Sequence, residues 1–270
     1  MISYPNAKIN LGLEVLSKRK DGLHNINSFF LPINLSDVLE VKIDSSLNDK
    51  ILISYSGFLF NDSENDLVLK AYNILSKDFD LGSVRIHLHK NIPFGSGLGG
   101  GSSNASFMLL SLNKLFNLGL DLSSLLKYAN FLGSDCSFFL YNSLSKVTKN
   151  GSVITPLNLN LSNYYLILIK ADCNISTSHI FANYQCKPKS NKRMILDSDI
   201  STWKNNLTND LELVTFSLFP ELADIKNYLY SIGAIFSSMT GSGSCVYGVF
   251  DKKPIQKVRY KNFWIWEGYI

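Results

Sequence analysis

The most informative segment of the chain lies between residues 93 and 105 and reads P-F-G-S-G-L-G-G-G-S-S-N-A. Glycine has no Cβ atom and tolerates positive φ, so a backbone rich in it can curl and bring its N–H groups close to a ligand. At the start of a helix, such a loop gathers unpaired amides and the positive end of the helix dipole at one point. This combination is typical of a phosphate-binding site. The alternative is a flexible surface turn, which rarely has three consecutive glycines followed at once by helix-capping residues.

The segments on either side of this loop have the patterns of a strand and a helix. Apolar and polar residues alternate over residues 84–89, with Arg85, His87 and His89 on one face, which predicts a half-buried strand. After the loop, the apolar period predicts a helix over residues 105–116 and a second helix over residues 123–132. The loop would therefore join a strand to a helix N-terminus, which is the arrangement that a phosphate site needs.

Elsewhere the chain mixes alternating strands with amphipathic helices and shows no regular βαβ series, which indicates the α+β class. Alternation over residues 39–43 and 51–55 predicts two half-buried antiparallel strands. Two domains are expected, over residues 1–155, which include the loop, and over residues 156–270. The remaining predictions are a helix from Asp66 to about Ser76, a buried strand over 164–169, an exposed polar connection over 184–208, a helix from Pro220 to about Gly233 and a strand over 246–250.

Length, composition and charge favour a folded enzyme that acts on a small molecule. The chain has 270 residues, of which 46% are hydrophobic and 18% charged, so it can bury a substantial core and is not a disordered chain. A formal net charge of +4 suits an anionic small molecule, but it is too small and too scattered to indicate nucleic acid. No apolar run approaches the length of a membrane span, so no membrane partner is expected.

The four cysteines indicate reduced thiols. They show neither C-x-x-C spacing nor histidine partners at metal-ligand intervals, so we expect no zinc site. Near the N-terminus, Asn6, Lys8 and Asn10 interrupt the apolar run that a secretory signal needs. We therefore expect a cytoplasmic protein. A separate expectation is that it is a monomer or a weak homodimer.

Two common nucleotide-binding loops do not fit the residues. A P-loop needs lysine where Ser102 stands. Gly95, Gly97 and Gly100 satisfy G-x-G-x-x-G, but the strand before them is polar on one face, whereas a central parallel strand is apolar on both. Asp121, at the distance of a ribose ligand, is explained more simply as a helix N-cap. Protein kinases are excluded because the chain has neither an H-R-D catalytic loop nor D-F-G.

The loop resembles the P-x-G-x-G-L-G-x-S-S-A signature of the GHMP kinases, the superfamily of galactokinase, homoserine kinase, mevalonate kinase and phosphomevalonate kinase. Other segments are similar to motifs of this superfamily, in the order that it requires, and the agreement covers roughly residues 3 to 250. They are P-N-A-K-I-N-L at 5–11, R-K-D-G-L-H at 19–24, G-S-D-C-S-F-F at 133–139, I-S-T at 175–177, N-D-L-E at 209–212 and M-T-G-S-G-S-C at 239–245.

The resemblance implies a fold, a reaction and its substrates. The fold would be a ribosomal-S5-like N-terminal domain followed by a ferredoxin-like C-terminal domain. The reaction would be ATP-dependent phosphorylation, assisted by Mg²⁺, of the 2-hydroxyl of a small molecule with a cytidine diphosphate group, in the non-mevalonate isoprenoid pathway. Two alternatives stay open: another GHMP kinase of the mevalonate type, and a non-catalytic nucleotide-binding protein on the same scaffold.

The resemblance also implies the roles of particular residues. Asp135 would be the catalytic base and Lys8 the catalytic cation beside it. The acceptor would be bound by His24, which reads the cytosine, and Phe181, which stacks on it, with Asn10 and Thr177 as polar contacts and Gly241 and Gly243 letting a second loop approach. Ser102 would also contact the metal. The ATP phosphates would lie against Pro93, Gly95, Gly97, Leu98, Gly99, Gly100, Gly101, Ser102 and Ser103.

Each of these residues also has a simpler interpretation. Asp135 would cap or pair at a helix end, and Lys8 would be an edge-strand lysine that faces water. His24 would be a surface residue and Phe181 a core residue. The sequence also departs from the family pattern near two of these positions. Leu23 stands where the family has a tyrosine that helps to enclose the cytosine, and Cys136 and Ser137 stand where it has Val-Pro.

Overall fold

The computed structural model describes residues 1–58, 66–186, 194, 196, 199–255, 258–261 and 263–270. These residues form strands and α-helices in an irregular order, as the predicted α+β class requires. The strands are β1 (Ile2–Ser3), β2 (Asn6–Lys18), β3 (His24–Ser36), β4 (Val38–Ile43), β5 (Ile51–Gly57), β6 (Val84–Lys90), β7 (Ser145–Lys149), β8 (Val153–Pro156), β9 (Tyr165–Lys170), β10 (Phe236–Met239), β11 (Cys245–Phe250) and β12 (Trp264–Tyr269). The helices are α1 (Leu67–Leu75), α2 (Gly100–Leu115), α3 (Leu122–Leu132), α4 (Cys136–Tyr141), α5 (Thr177–Asn183), α6 (Trp203–Asn206), α7 (Glu212–Leu218) and α8 (Pro220–Ser231).

The chain divides into two compact units, each discontinuous in sequence. The first unit consists of residues 1–7, 35–94 and 99–142. The second consists of residues 8–34, 95–98 and 143–270. The chain therefore passes from the first unit to the second and back within the glycine loop. The expected domain boundary between residues 155 and 156 stays a prediction.

The first unit is built on a four-stranded sheet in the order β1-β4-β6-β5. Strand β4 pairs antiparallel with β6, but β5 pairs parallel with β6, so the prediction of an antiparallel strand over residues 51–55 is wrong. The reason is that α1 lies between β5 and β6 and provides the crossover that a parallel pair needs. The apolar face of the sheet packs with α1, α2 and α3 into one core, in which Leu39, Ile86 and Leu109 are fully buried.

Two helices of this unit, α1 and α3, begin where a capping side chain bonds one of their first amides. The Asp66 side chain accepts a hydrogen bond from the Val68 amide at the start of α1, and that of Asp121 accepts one from the Ser124 amide at the start of α3. Helix α2 begins at Gly100, five residues before the predicted start. Its first turn contains only glycine and serine, so the apolar period cannot reveal it. The glycine loop therefore runs directly into the helix.

The second unit contains an antiparallel sheet in the order β10-β11-β9-β12. Its inner strand β9 is buried as the apolar run at 164–169 predicts, and Leu222, Ile225 and Leu229 of α8 contribute to the core beside it. Most of the sheet β2-β3-β7-β8 also belongs to this unit.

Part of the predicted exposed connection over residues 184–208 is wrong. Trp203 in α6 is fully buried, and its ring meets that of Phe236 edge-on at 5.6 Å between centroids. Residues 187–193, 195, 197 and 198 lie outside the described residues. In the part of the chain that the structure describes, no helix is both long enough and apolar enough to cross a membrane.

Candidate active site

The curl of the glycine loop depends on left-handed backbone at alternate positions. Gly95, Gly97 and Gly99 have φ of 61°, 75° and 74°, which an L side chain rarely adopts. Leu98 between them is fully buried, and Pro93 at the entry to the loop is buried as well. The glycines set the path of the backbone, while Leu98 anchors it.

A second glycine loop, residues 240–244, holds the first loop by hydrogen bonds to the carbonyl groups of the first loop. The Ser244 and Cys245 amides donate to the carbonyl oxygens of Gly95 and Ser96, both at 3.2 Å. A methyl group on Gly97 would overlap the Thr240 carbonyl oxygen. The second loop is itself strongly curled, because Gly241 and Gly243 have φ of 58° and 92°. The expected role of both glycines, to let this loop approach the substrate, stays a prediction.

The start of α2 presents polar groups that suit an anion. The first amides of a helix have no acceptor within that helix. In α2 the Ser103 amide donates a hydrogen bond to the Gly99 carbonyl at 2.9 Å. The Ser103 hydroxyl is fully buried and has no hydrogen-bond partner among the described residues. A buried hydroxyl of this kind is costly unless something bonds to it. A phosphate oxygen near the helix N-terminus would meet that need.

Ser102 and the segment of Asp135 lie together in the first unit. The Ser106 hydroxyl contacts the Ser102 carbonyl at 2.8 Å and the Cys136 carbonyl at 2.7 Å. Burial raises the pKa of the Cys136 thiol to about 12. Asp135 stands half-buried at the N-cap position of α4, but its side chain makes no capping hydrogen bond to that helix. The first turn of α2 therefore fixes the backbone that carries Asp135.

Lys8 is buried, so its interpretation as an edge lysine facing water is wrong. Its side chain is 3% exposed, and its Nζ donates to Asn10 Oδ1 at 2.6 Å and lies 4.6 Å from the centroid of the Phe30 ring. The Lys8 backbone amide donates to the Leu98 carbonyl at 3.0 Å, which joins β2 to the glycine loop. A cation buried in this way is held in one position.

Asn10 links this lysine to the second glycine loop. Its Nδ2 donates to the Ser28 hydroxyl at 3.0 Å, and its backbone amide donates to the Thr240 hydroxyl at 3.1 Å. That hydroxyl lies 3.1 Å from Asn10 Oδ1 and 3.2 Å from the Gly97 carbonyl oxygen. Asn10 is almost fully buried, so its main contribution is to orient Lys8 and both loops within the second unit.

His24 and Phe181, which are far apart in sequence, stack in the second unit. Their ring centroids are 5.0 Å apart and the ring planes are inclined by 30°. Burial lowers the pKa of His24 below its ordinary value of 6.5, and the charge of Lys18 lowers it further. The ring is therefore neutral at pH 7. Leu23, which stands in the place of the family tyrosine, is 51% exposed. This position therefore has no aromatic ring.

Thr177 connects this pair to the second glycine loop. It begins α5, the helix that carries Phe181, and its hydroxyl lies 2.9 Å from the Ser242 hydroxyl. Lys8, Asn10, His24, Thr177, Phe181, Gly241 and Gly243 thus all belong to the second unit, whereas Ser102, Ser103 and Asp135 belong to the first.

Two supporting residues had no role assigned from the sequence. Asn209 Nδ2 donates to the carbonyl oxygens of Met239 and Gly241, both at 2.8 Å, and Glu212 Oε1 accepts from the Met239 amide at 2.8 Å. They hold the strand and turn that lead into the second glycine loop. The N-D-L-E segment was the available signal, because a polar residue that is buried beside a glycine turn usually bonds its backbone.

The side chains offer few ligands for a metal ion. Within the described residues, no group of three or more His, Cys, Asp or Glu side chains could hold one. Mg²⁺ commonly keeps several waters and binds through substrate phosphates and one or two protein oxygens. The half-buried Ser102 hydroxyl at the start of α2 fits a metal ion that arrives with a nucleotide, and does not fit one held by the protein alone.

Two family models and several known proteins match this chain. The model of the GHMP kinases N terminal domain matches residues 66–143, and that of the GHMP kinases C terminal domain matches residues 192–262. A 4-diphosphocytidyl-2-C-methyl-D-erythritol kinase of Azobacteroides pseudotrichonymphae genomovar. CFP2 is 46% identical over 266 residues, which are 97% of this chain and 98% of that protein.

Solved structures of kinases also align with most of this chain. The crystal structure of a 4-(cytidine 5'-diphospho)-2C-methyl-D-erythritol kinase aligns with a TM-score of 0.77 and 31% identity, over 92% of this chain and 90% of that one. The mevalonate kinase of Methanococcus jannaschii aligns with a TM-score of 0.72 over 99% of this chain and 97% of that one, at 14% identity. At that identity the likeness concerns the fold alone.

The close approach of the two loops predicts unequal costs for two glycine substitutions. Gly95→Ala adds a methyl group to open space and pays only for positive φ, about 1 kcal/mol of unfolding free energy. Gly97→Ala pays a similar cost and also pushes against the Thr240 carbonyl, which adds roughly 1–3 kcal/mol. Urea denaturation of both variants measures the difference. Equal losses of stability would contradict the close contact.

The charge of Lys18 predicts a change in the titration of His24. Lys18→Ala removes a nearby positive charge that disfavours the imidazolium, so the pKa of His24 should rise. Lys20→Ala is the matched control, because Lys20 does not contribute to the lowered pKa. NMR titration of the imidazole resonances measures both. A pKa of His24 that is the same in the two variants would refute the assignment to Lys18.

Proposed function

The chain belongs to the GHMP kinases, in the family of the 4-diphosphocytidyl-2-C-methyl-D-erythritol kinases, and we propose that it transfers the γ-phosphate of ATP to the 2-hydroxyl of 4-diphosphocytidyl-2-C-methyl-D-erythritol. The predicted two-domain GHMP kinase architecture is confirmed by the two family matches and by the aligned kinase structure. The reaction is a step of isoprenoid biosynthesis by the non-mevalonate pathway.

The observation that carries the choice of acceptor is the stacked pair of His24 and Phe181. An aromatic face and a ring with two nitrogens at one place suit a nucleobase, which is bound by stacking and by hydrogen bonds to its edge. A small aliphatic acid such as mevalonate has no use for either. The pair therefore favours an acceptor that carries a cytosine, with Thr177 and Asn10 as further proposed polar contacts to it.

The glycine loop and the start of α2 are proposed to hold the ATP phosphates. Bound ATP supplies the phosphoryl group, and its Mg²⁺ neutralises charge on the phosphates as they react. The amides of residues 99–102 and the buried Ser103 hydroxyl supply donors for phosphate oxygens. Ser102 is the proposed protein ligand of the metal. Gly95 adds no side chain to the loop, so a phosphate can approach the backbone there, whereas Gly97 leaves room for the Thr240 carbonyl.

Asp135 and Lys8 are proposed to activate the acceptor hydroxyl. Asp135 receives the proton of that hydroxyl as the bond to phosphorus forms. Lys8 supplies a fixed positive charge that favours the developing alkoxide. Its hydrogen bond to Asn10 and its position over Phe30 keep the ammonium group from swinging toward water. A cytoplasmic location and a monomeric or weakly dimeric state belong to the same proposal.

The acceptor can be tested directly by following ADP release. With Mg-ATP present, we expect 4-diphosphocytidyl-2-C-methyl-D-erythritol to stimulate ADP release well above the rate without acceptor, and mevalonate to leave that rate unchanged. Phosphorus NMR of the product then identifies the phosphorylated hydroxyl. Turnover of mevalonate without turnover of the cytidine compound would overturn the acceptor assignment. Nucleotide binding with no turnover of either would indicate a non-catalytic protein.

The role of Asp135 can be tested by an isosteric substitution. Asp135→Asn keeps the shape but cannot accept the proton, so kcat should fall by ~10²-fold or more, with the KM for ATP little changed. Asp121→Asn is the matched control, because asparagine caps a helix about as well as aspartate and α3 should remain intact. Steady-state kinetics measures both variants. An Asp135→Asn variant with the kcat of the unmodified chain would remove Asp135 from this role.

A further inference from the structure

We propose that Asp37 is a positioning residue that ties the two stems of the glycine loop together through Lys90 and Asn104. One stem is the end of β6 with residues 91 and 92, and the other is the first turns of α2. All of these residues belong to the first unit. The inference rests on the proposed function, because it assigns these residues to the binding of the nucleotide.

The Asp37 carboxylate accepts hydrogen bonds from both stems. Its Oδ1 accepts from the amides of Asn91 at 2.7 Å and Ile92 at 2.8 Å, the two residues that follow β6. Its Oδ2 accepts from Asn104 Nδ2 at 2.9 Å and from Lys90 Nζ. Asp37 is fully buried, so no water competes for these bonds. One side chain thus fixes the distance between the strand that enters the loop and the helix that leaves it.

Lys90 completes the arrangement beneath the first turn of α2. Its ammonium group is 2% exposed, forms an ion pair with Asp37 and donates to Asn104 Oδ1 at 2.9 Å. A Cβ atom on Gly100 would lie 3.2 Å from Lys90 Nζ. Burial lowers the pKa of Lys90, and Asp37 opposes that effect. Gly100 therefore leaves room for a buried cation directly against the turn whose amides are proposed to meet phosphate.

This arrangement serves positioning better than it serves stability. A buried ion pair is a weak source of stability, because desolvation offsets most of its attraction. Here the ion pair and Asn104 join the strand that enters the loop to the helix that leaves it, and the loop between them contains several glycines at positive φ. A binding site gains affinity when its donors are held in the bound geometry before the ligand arrives. Loss of the tie should therefore weaken nucleotide binding more than it weakens the fold.

Asn104→Ala tests this by cutting the tie on the helix side while it keeps the Asp37–Lys90 pair. Alanine favours the helix, so α2 should stay formed. We expect the Kd for Mg-ADP, measured by calorimetry, to rise about tenfold, the equivalent of one hydrogen bond to a charged group. The Kd for CDP should be unchanged. Hydrogen exchange of the nucleotide-free chain should speed up over residues 93–103.

The matched control is Asn113→Ala on the same helix. Asn113 also makes two hydrogen bonds, to the amide and carbonyl of Leu120, at the other end of α2. It should leave the Kd for Mg-ADP within about twofold. Equal Mg-ADP affinity and equal exchange over residues 93–103 in the two variants would overturn the inference. Absence of Mg-ADP binding by the unmodified chain would instead overturn the proposed function.

Asp37→Asn is a second variant that tests the carboxylate itself. It leaves Lys90 without its charge partner, so it should weaken Mg-ADP binding more than Asn104→Ala does and should also lower the melting temperature. Asp44→Asn is its control, since Asp44 pairs with Arg85 near the opposite end of β6. If Asp37→Asn melted early but bound Mg-ADP like the unmodified chain at a temperature where it is folded, Asp37 would be structural only.

Discussion

The close approach of two glycine loops is the constraint on which the candidate site depends. Carbonyl oxygens of the first loop accept hydrogen bonds from the second loop and the residue after it. The Ser244 and Cys245 amides and the Thr240 hydroxyl donate to the carbonyls of Gly95, Ser96 and Gly97 respectively. The residues that follow open α2, whose first amides have no acceptor within the helix. The carbonyl acceptors of this segment are thus bonded to protein, whereas the amide donors that follow at the helix end are not. Such an arrangement suits an anion. Side chains in place of the glycines would block the contact between the two loops and would disfavour the positive φ.

Buried polar groups support both loops. Asn209 donates to two carbonyls before and within the second loop, the Asn10 backbone amide donates to the Thr240 hydroxyl, and the Asp37 carboxylate accepts from two amides at the end of β6. Glycines have no side chain to pack, so apart from the buried Leu98 the path of the loop is fixed by hydrogen bonds from outside. Burying these groups costs free energy unless they are paired, and here they are. Ser103 is the exception, and its position at the start of α2 is the place where a ligand would pair it.

The elements that local signals determine were predictable from the sequence, and those that distant contacts determine were not. The caps Asp66 and Asp121 gave the starts of α1 and α3, because a cap acts within three residues of itself. The parallel pairing of β5 with β6 depends on the crossover between them, and the burial of Trp203 depends on Phe236, 33 residues further on. At the site, motif residues stood out by type and spacing. Asn209 and Glu212 belong to one of these motifs, N-D-L-E, but the backbone groups that they bond were not evident from it. Asp37 did not stand out, because its partners include backbone amides that no sequence pattern marks.

The lowered pKa of His24 follows from the same packing that places the ring for its proposed task. Burial beside Phe181 and the charge of Lys18 both disfavour the imidazolium, so the ring stays neutral at neutral pH. A neutral imidazole has one donor and one acceptor nitrogen, whereas the protonated ring can only donate. The edge of cytosine presents an amino donor next to acceptor atoms. Leu23 is exposed and offers no aromatic ring at its position, so in the proposed binding mode the recognition of that edge would fall on His24. Its neutrality would then be part of the proposed selectivity, because an imidazolium would repel the amino group.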